Sequence, residues 1–599
     1  MGFIYFISVL FVLTLFILIP KAKHAQNIII WLPMSYIGYE CYITLIGGLL
    51  TLLHIPVYLF SISIINYVLG IFLLGYLLKI KKIQTFYWDK LDSVVFLFLI
   101  VGILIFSLNH FTPDLRIRFE TSDPGTHLKI AMDVVNSRSV ISDFTSMYMG
   151  QLTNGLWIEM LMPFFKGTFV YKSFILKQIF NFIITSVAFY SCLRLFVISK
   201  RQKMGAITFT LLYIAGYPLS DFLFGFVYLG IAITVIMFCF FMVYHYLYED
   251  MEESIILFCI SIGCLGVGVG YTLFAPIVFF AIFFCVLYKF AQKSKPKKII
   301  YIVDKKFIFH NLYIFLIPAF FSLWFTFIYP KITGTGQGLS DALTSEGYIY
   351  RSLYSDFIIF IPFALVSISH SFKDKKWNLF STLFPLTIIY CSYFFIQMYN
   401  GKVSTYYYYK LNFVLWLIII LLAFVGTIAL YKKSKTLVCS YWATWGLILI
   451  ISISGVDTKL NSKNVLLNPF PNAHSTFEIY IHNKIIYERK SEVDKGLSDL
   501  CVYIEQKLRE EIAPKPILFV GDWLDTYWFE ALSNQRMKEN YVFNDPTFFI
   551  KKFLERQYSS YIVISKDSKE YALVKDLLLG TNQIYENEYG YVLTLSNAK

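Results

Sequence analysis

From residue 3 to about residue 456 the chain repeats one feature, an apolar stretch long enough to cross the ~30 Å of hydrocarbon in a bilayer. Inside lipid every backbone N–H and C=O must find a partner within the chain, so such stretches cross as helices. The approximate spans are 3–20, 28–53, 57–78, 94–110, 174–197, 205–222, 227–247, 254–271, 273–290, 309–329, 356–370, 379–397, 411–430 and 438–456. The sequence therefore predicts a polytopic α-helical membrane protein of about fourteen spans. With 57% hydrophobic and 15% charged residues and a mean hydropathy of +0.61, a conventional soluble enzyme is excluded.

Charge sets the expected orientation. Lys21/Lys23, Lys79/Lys81/Lys82, Lys200/Arg201/Lys203, the Lys293–Lys306 cluster, Lys373/Lys375/Lys376 and Lys432/Lys433/Lys435 fall on one side if the spans alternate. Cytoplasmic loops collect Lys and Arg, so that side is expected inside, with the N-terminus and everything after the last span outside. Only the turn at 248–253 lacks a basic residue among the expected cytoplasmic connections. The net charge of +13 thus has a topological origin and implies no nucleic-acid partner. Met1 to Pro20 has no basic residue before its apolar run and no small-residue cleavage site, and is expected to be a first anchor. None of the nine cysteines forms a CxxC pair or a zinc-like Cys/His cluster, and a structural metal site is not expected.

Two domains follow: a membrane domain over 1–456, with a long outer loop at 111–173, and an extracytoplasmic α/β domain over 457–599. In the second domain an amphipathic run at 493–511 ends at Pro514, and a strand at 517–520 turns at Gly521-Asp522 into a helix near Trp523. A strand at 561–565, a helix at 568–579 and a hairpin of 584–586 with 591–595 complete it.

Chemistry concentrates in the outer loop. Asp114, Arg116, Arg118 and Glu120 lead to Asp123-Pro124-Gly125-Thr126-His127, where Asp caps a helix and Pro loses no N–H in the first turn. Ile130, Ala131, Val134 and Val135 form an apolar stripe opposite Lys129, Asp133 and Asn136, so this helix is expected to lie flat on the membrane. A second amphipathic stretch, 156–165, carries Glu159. Asp123 at the water–lipid boundary suits a general base, with His127 one turn on and arginines upstream to hold a phosphate. The alternative reading makes Asp123 a helix cap and His127 a surface residue.

Three other places face the same side. Tyr217 to Asp221 form a turn whose acid, between two apolar helices, needs a partner or a task. The loop 330–355 has a Gly/Thr-rich stretch and carries Glu346, Tyr348, Tyr350 and Arg351, as a substrate lid or a solvated connector. Lys402 and Lys410 flank a tyrosine run that includes Tyr408, where lysines grip a phosphate or snorkel to the interface. Glu40 is a lone acid in mid-span, and the glycine run Gly263 to Gly270 is expected to serve close helix packing.

Together these features resemble the GT-C superfamily of integral membrane glycosyltransferases. The resemblance rests on many spans, an early outer loop ending in the DPGTH stretch of Asp123 to His127, the Lys402–Lys410 tyrosine loop and a terminal α/β domain outside. It implies an inverting transferase that takes a sugar from a polyprenyl-phosphate donor and passes it to an extracytoplasmic glycan, lipid or protein of the cell envelope. Asp123 would be the base, with His127, Glu120 and Asp114 beside it. Arg116, Arg118, Arg351, Lys402, Lys410 and Tyr408 would hold the donor phosphate, and Asp221, Tyr217 and Glu159 would face the acceptor cavity. No cofactor is required by the resemblance, although its acids permit a divalent metal. A bacterial plasma membrane is the implied location. The competing readings are a transporter or flippase of lipid-linked glycans, which calls for ionisable residues inside the spans, and a surface-glycan polymerase or ligase.

Overall fold

The computed structural model describes residues 1–19, 25–117, 119, 123–140, 149–165, 169–197, 199–249, 252–293, 305–333, 343–347, 357–373, 379–454, 495–509, 517–521, 523–533, 561–566, 571 and 581–595. Every apolar stretch of the sequence is helical. The chain opens with α1 (Gly2–Leu18), β1 (Gln26–Asn27), α2 (Ile28–Leu52), α3 (Leu59–Ile80), β2 (Phe86–Tyr87) and α4 (Lys90–Phe111). Two shorter helices, α5 (Asp123–Ser137) and α6 (Met149–Leu161), precede α7 (Val170–Arg194), α8 (Lys200–Ala215), α9 (Tyr217–Phe224), α10 (Val227–Tyr248) and α11 (Glu253–Gly270). Next come α12 (Ala275–Lys293), α13 (Lys305–Leu323), α14 (Tyr329–Thr333), α15 (Ile361–Lys373), α16 (Leu379–Tyr399), α17 (Thr405–Tyr431) and α18 (Lys435–Ser454). The C-terminal region has α19 (Lys495–Arg509), β3 (Leu518–Val520), α20 (Trp523–Leu532), β4 (Tyr561–Ser565), β5 (Thr581–Glu586) and β6 (Gly590–Leu595).

Among the described residues ten helices are long and apolar enough to span a membrane, or eleven if α8 and α9, bent by 40°, count as one. Helices α1 and α15 are apolar but shorter. The bundle is layered: 89% of the α10 window is buried against 28% of that of α3, so α10 is central and α3 leaves most of its surface to lipid. The glycine run of α11 forms part of one unbroken helix, and its faces meet α10, α2 and α13 closely. A Cβ at Gly266 would lie 2.8 Å from the Cys41 sulfur, so close packing is the role this stretch plays.

Two buried ion pairs tie the bundle. In mid-span, Lys177 of α7 reaches Glu40 of α2, which also accepts from the Tyr36 hydroxyl at 2.8 Å. At the far end, Arg194 donates to both oxygens of the fully buried Asp92, at 2.8 and 3.0 Å, while Tyr190 and Asn27 donate to the same carboxylate. Burying a lone charge costs several kcal/mol, by order of magnitude, which is why each ion here has an opposite charge and further hydrogen bonds.

The C-terminal sheet runs in the order β3-β4-β6-β5. Strands β3 and β4 are parallel, with Leu518 opposite Ile562, and β4 and β6 antiparallel, with Val563 opposite Val592. This agrees with the strands read from the sequence; residues 568–570 and 572–579 of the expected helix lie outside the described residues. Helix α5 departs from expectation. It packs between α6 and α20, and Lys129, expected on its polar side, is buried and paired with Asp133. The apolar stripe that a membrane surface would have received is taken by protein instead.

Candidate active site

Pro124, Gly125 and His127 of the DPGTH turn each have a structural partner. Gly225, the C-cap of α9, is held at φ +74°, a left-handed conformation that glycine adopts without Cβ strain. That bare backbone receives the Pro124 ring, which would lie 2.2 Å from a Cβ at Gly225. His127 lies beside the Gly225 backbone and packs against the Tyr228 ring, with 4.1 Å between ring centres. On the other side, Gly125 admits Tyr527 of α20, whose backbone carbon is 3.1 Å from where a Cβ would stand. The turn is thus clamped between α9 and the C-terminal domain, and the clamp fixes Asp123 at the head of α5.

Burial pushes the His127 imidazolium down to about 4, with the Asp123 charge opposing and the Lys410 charge assisting. The ring is therefore neutral near pH 7. Its Nδ1 is buried and has no hydrogen-bond partner among the described residues, leaving an acceptor one turn along α5 from Asp123.

Lys410 enters from the far end of the sequence. Ser404 caps α17 by accepting from the Tyr407 N–H at 3.3 Å, and Lys410 follows a turn and a half later. Its ammonium lies 3.8 Å from the Tyr406 ring centre, 4.9 Å from Tyr407, 5.2 Å from Tyr271 and 5.9 Å from Phe226. Asp123 and Asp221 both act on its charge. Cation–π contacts with these four rings offset part of the cost of burying this lysine. Asp221, on α9, turns one oxygen against Gly230 and leaves Oδ1 buried without a hydrogen bond.

Of the residues singled out in the sequence, Asp123, His127, Asp221 and Lys410 converge here, with Tyr217 one turn from Asp221 against Phe413 and Trp416. The others stand elsewhere. Glu159 accepts from Arg138 at 2.7 Å and from the Leu59 N–H at 3.3 Å, tying α6 to α3. Asp114 and Arg116 pair with each other at 3.6 Å on the surface. Lys402 is exposed in the turn before α17, and Tyr408 faces Phe395 of α16. Arg118, Glu120 and Arg351, and Tyr348 and Tyr350, lie outside the described residues. From the same loop, Glu346 accepts from the Thr405 N–H at 3.2 Å, which seats 343–347 on the first turn of α17. Tyr271 and Tyr228 were not anticipated; as tyrosines in an aromatic-rich chain they carry no distinguishing signal. Gln178 and Asn181 were also missed, although two amides three residues apart inside an apolar span are a signal. Among the described residues no three His, Cys, Asp or Glu form a metal-binding group.

No protein-family model matches the chain, and no curated protein does. Among solved structures it is similar to ArnT from Cupriavidus metallidurans bound to undecaprenyl phosphate, with 12% identity over 84% of this chain and 97% of that one, and a TM-score of 0.48. It is also similar to the apo oligosaccharyltransferase of Archaeoglobus fulgidus, with 11% identity over 84% of this chain and 75% of the other, at a TM-score of 0.40. The Archaeoglobus fulgidus oligosaccharyltransferase AglB with an inhibitory peptide and a dolichol-phosphate gives 11% identity, 85% and 75% coverage and the same score.

Proposed function

We propose that this chain is a membrane glycosyltransferase that moves a sugar from a polyprenyl-phosphate donor to an extracytoplasmic acceptor. The observation that carries the reading is that the DPGTH turn packs on Gly225 and Tyr228 while Lys410, from a distant part of the chain, packs over Phe226 between them, which brings Asp123 and Lys410 to one aromatic-lined cluster. In the step, an acceptor oxygen attacks the anomeric carbon and a C–O bond forms there with inversion. The bond from that carbon to the phosphate oxygen breaks, and the electron pair leaves with polyprenyl phosphate. Asp123 takes the acceptor proton, Lys410 meets the charge on the departing phosphate, and neutral His127 orients the acceptor through Nδ1.

The depth of the cluster supports a lipid-borne donor. Lys432 at the other end of α17 is 22 residues from Lys410, about 33 Å along a helix, close to the ~30 Å of hydrocarbon. Lys79 and Lys81 stand at the end of α3, and Lys200, Arg201 and Lys203 open α8, whose Gly205 lies against Phe424 toward the Lys432 end of α17; the positive-inside rule assigns such an end to the cytoplasm. The cluster then opens on the exterior side. A transporter would expose charges along a crossing path, whereas Glu40 and Lys177 are sealed against each other.

The test uses proteoliposomes loaded with decaprenyl-phospho-hexose and cell-envelope extract as acceptor, with release of decaprenyl phosphate followed by mass spectrometry. Asp123→Asn and Lys410→Met should each abolish release while the protein stays folded and inserted. Release by Asp123→Asn at the unmodified rate would overturn the assignment.

A further inference from the structure

Beneath the cluster lies a hollow of about 40 Å³ between α7, α8, α9 and α10, walled by Gln178, Asn181, Thr185, Tyr213 and Asp221. An apolar hollow of this kind stays empty; this one does not have apolar walls alone. Asn181 Nδ2 and Asp221 Oδ1 are buried and have no hydrogen-bond partner among the described residues. Behind them Gln178 donates to Asn154 Oδ1 at 3.5 Å, and the Nδ2 of the fully buried Asn154 is likewise without a partner. Each unsatisfied buried group of this kind costs roughly 1–3 kcal/mol, so a donor and an acceptor left open on one wall mark a place built for a polar occupant.

Resting on the transferase reading, we infer that this hollow is the subsite that recognises one hydroxyl-bearing limb of the transferred sugar. Asn181 donates to the limb's oxygen, and Asp221 accepts its proton in a hydrogen bond. Size decides between a limb and a ring. A water needs ~10–15 Å³ of such space, whereas a cavity that takes a six-membered ring measures ~150 Å³. About 40 Å³ therefore holds a hydroxymethyl group or about three to four waters, and no pyranose. Position decides between substrate and bulk solvent. Asp221 belongs both to the hollow's wall and to the surroundings of Lys410, so a sugar whose phosphate sits on Lys410 has a substituent within reach. The hollow makes Asn181 and Asp221 specificity-determining residues.

Native mass spectrometry of the purified full chain tests this with decaprenyl phosphate, decaprenyl-phospho-hexose and its 2-, 3-, 4- and 6-deoxy counterparts, and needs no acceptor. In the unmodified protein, loss of one particular hydroxyl should weaken binding by at least about tenfold, the scale of one buried hydrogen bond left unmade. Asn181→Leu should reduce that discrimination to within about twofold, and Asn181→Ala, which removes the amide without adding bulk, should do the same. If the unmodified chain binds all the sugar lipids equally, the hollow holds water only and the inference fails. It fails equally if both folded variants keep the preference. If neither decaprenyl phosphate nor any sugar lipid binds, the transferase reading falls and takes this inference with it.

Discussion

Gly225→Ala is the sharpest probe of whether the DPGTH turn must be held where it is. Two penalties follow from the structure and act on different observables. The first is backbone strain: at φ +74° an added Cβ costs about 1–2 kcal/mol. The second is displacement, because Pro124 Cγ would lie 2.2 Å from the new Cβ, and restoring ordinary contact at 3.4 Å moves the ring by 3.4 − 2.2 = 1.2 Å. Asp123 precedes that ring directly, and a misplacement of about 1 Å at a catalytic group costs on the order of 100-fold in rate. Gly401→Ala separates the two, since Gly401 has φ +69° but nothing within 4 Å of its Cβ position. Both variants should lose stability in thermal melts, Gly225→Ala the more because it must also relieve the overlap with Pro124. Only Gly225→Ala should lose release of decaprenyl phosphate in the proteoliposome assay, by about 100-fold. If the two variants keep equal rates, the clamp on Asp123 has no bearing on turnover and the reasoning is wrong.

Three further outcomes follow from the described contacts. His127 should make the fold acid-sensitive: with its proton affinity lowered to about 4 from 6.5, the contribution is complete above pH 6.5 and is lost as pH falls toward 4, because the unfolded chain then takes up a proton that the fold refuses. The whole difference is about 3 kcal/mol, and His127→Gln should flatten that part of the melting-temperature profile between pH 6.5 and 4. Breaking the mid-span pair by Glu40→Gln or Lys177→Met should destabilise by roughly 3–5 kcal/mol, while the double change Glu40→Leu with Lys177→Met should recover most of it in the same melts. Gly125→Leu should lift α20 from α5, since the Tyr527 carbonyl carbon and oxygen stand only 3.1 and 3.3 Å from a Cβ there; protease cleavage within 495–533 should then quicken in folded protein.

The helices and strands were legible because each announces itself locally: apolar runs of about 20 residues for the spans, and Ile562 to Ile564 flanked by polar turns for the central strand. The head of α5 was legible for the same reason, as Asp and Pro make a start signal without help from the rest of the fold. What covers α5 was not. An apolar stripe has the same spacing whether it meets lipid, α6 or α20, so amphipathicity names a buried face without naming its partner. Burial of Lys129 beside Asp133 belongs to the same limit, because a pair at i,i+4 suits an exposed surface as well as a covered one.

The site shows a further limit, which is one of distance along the chain. Lys410 was marked as unusual because lysines are scarce on the expected outer side, but its meeting with Asp123 depends on how α17 packs beside α9 and α10. Lys177 was passed over although it is a full charge inside an apolar span, and the rule that exposes it also exposes Glu40: a lone intramembrane charge implies a second one of opposite sign nearby. Applied to both together, that rule would have paired α2 with α7 from the sequence. Gln178 and Asn181 follow from the same rule one step down, since a buried amide also requires a partner and Asn181 Nδ2 lacks one among the described residues. The two cases differ in what satisfies them. Glu40 and Lys177 close on each other and hold the bundle, whereas Asn181 and Asp221 stay open toward a hollow beside Lys410, which is the arrangement expected of groups whose partner arrives with a substrate.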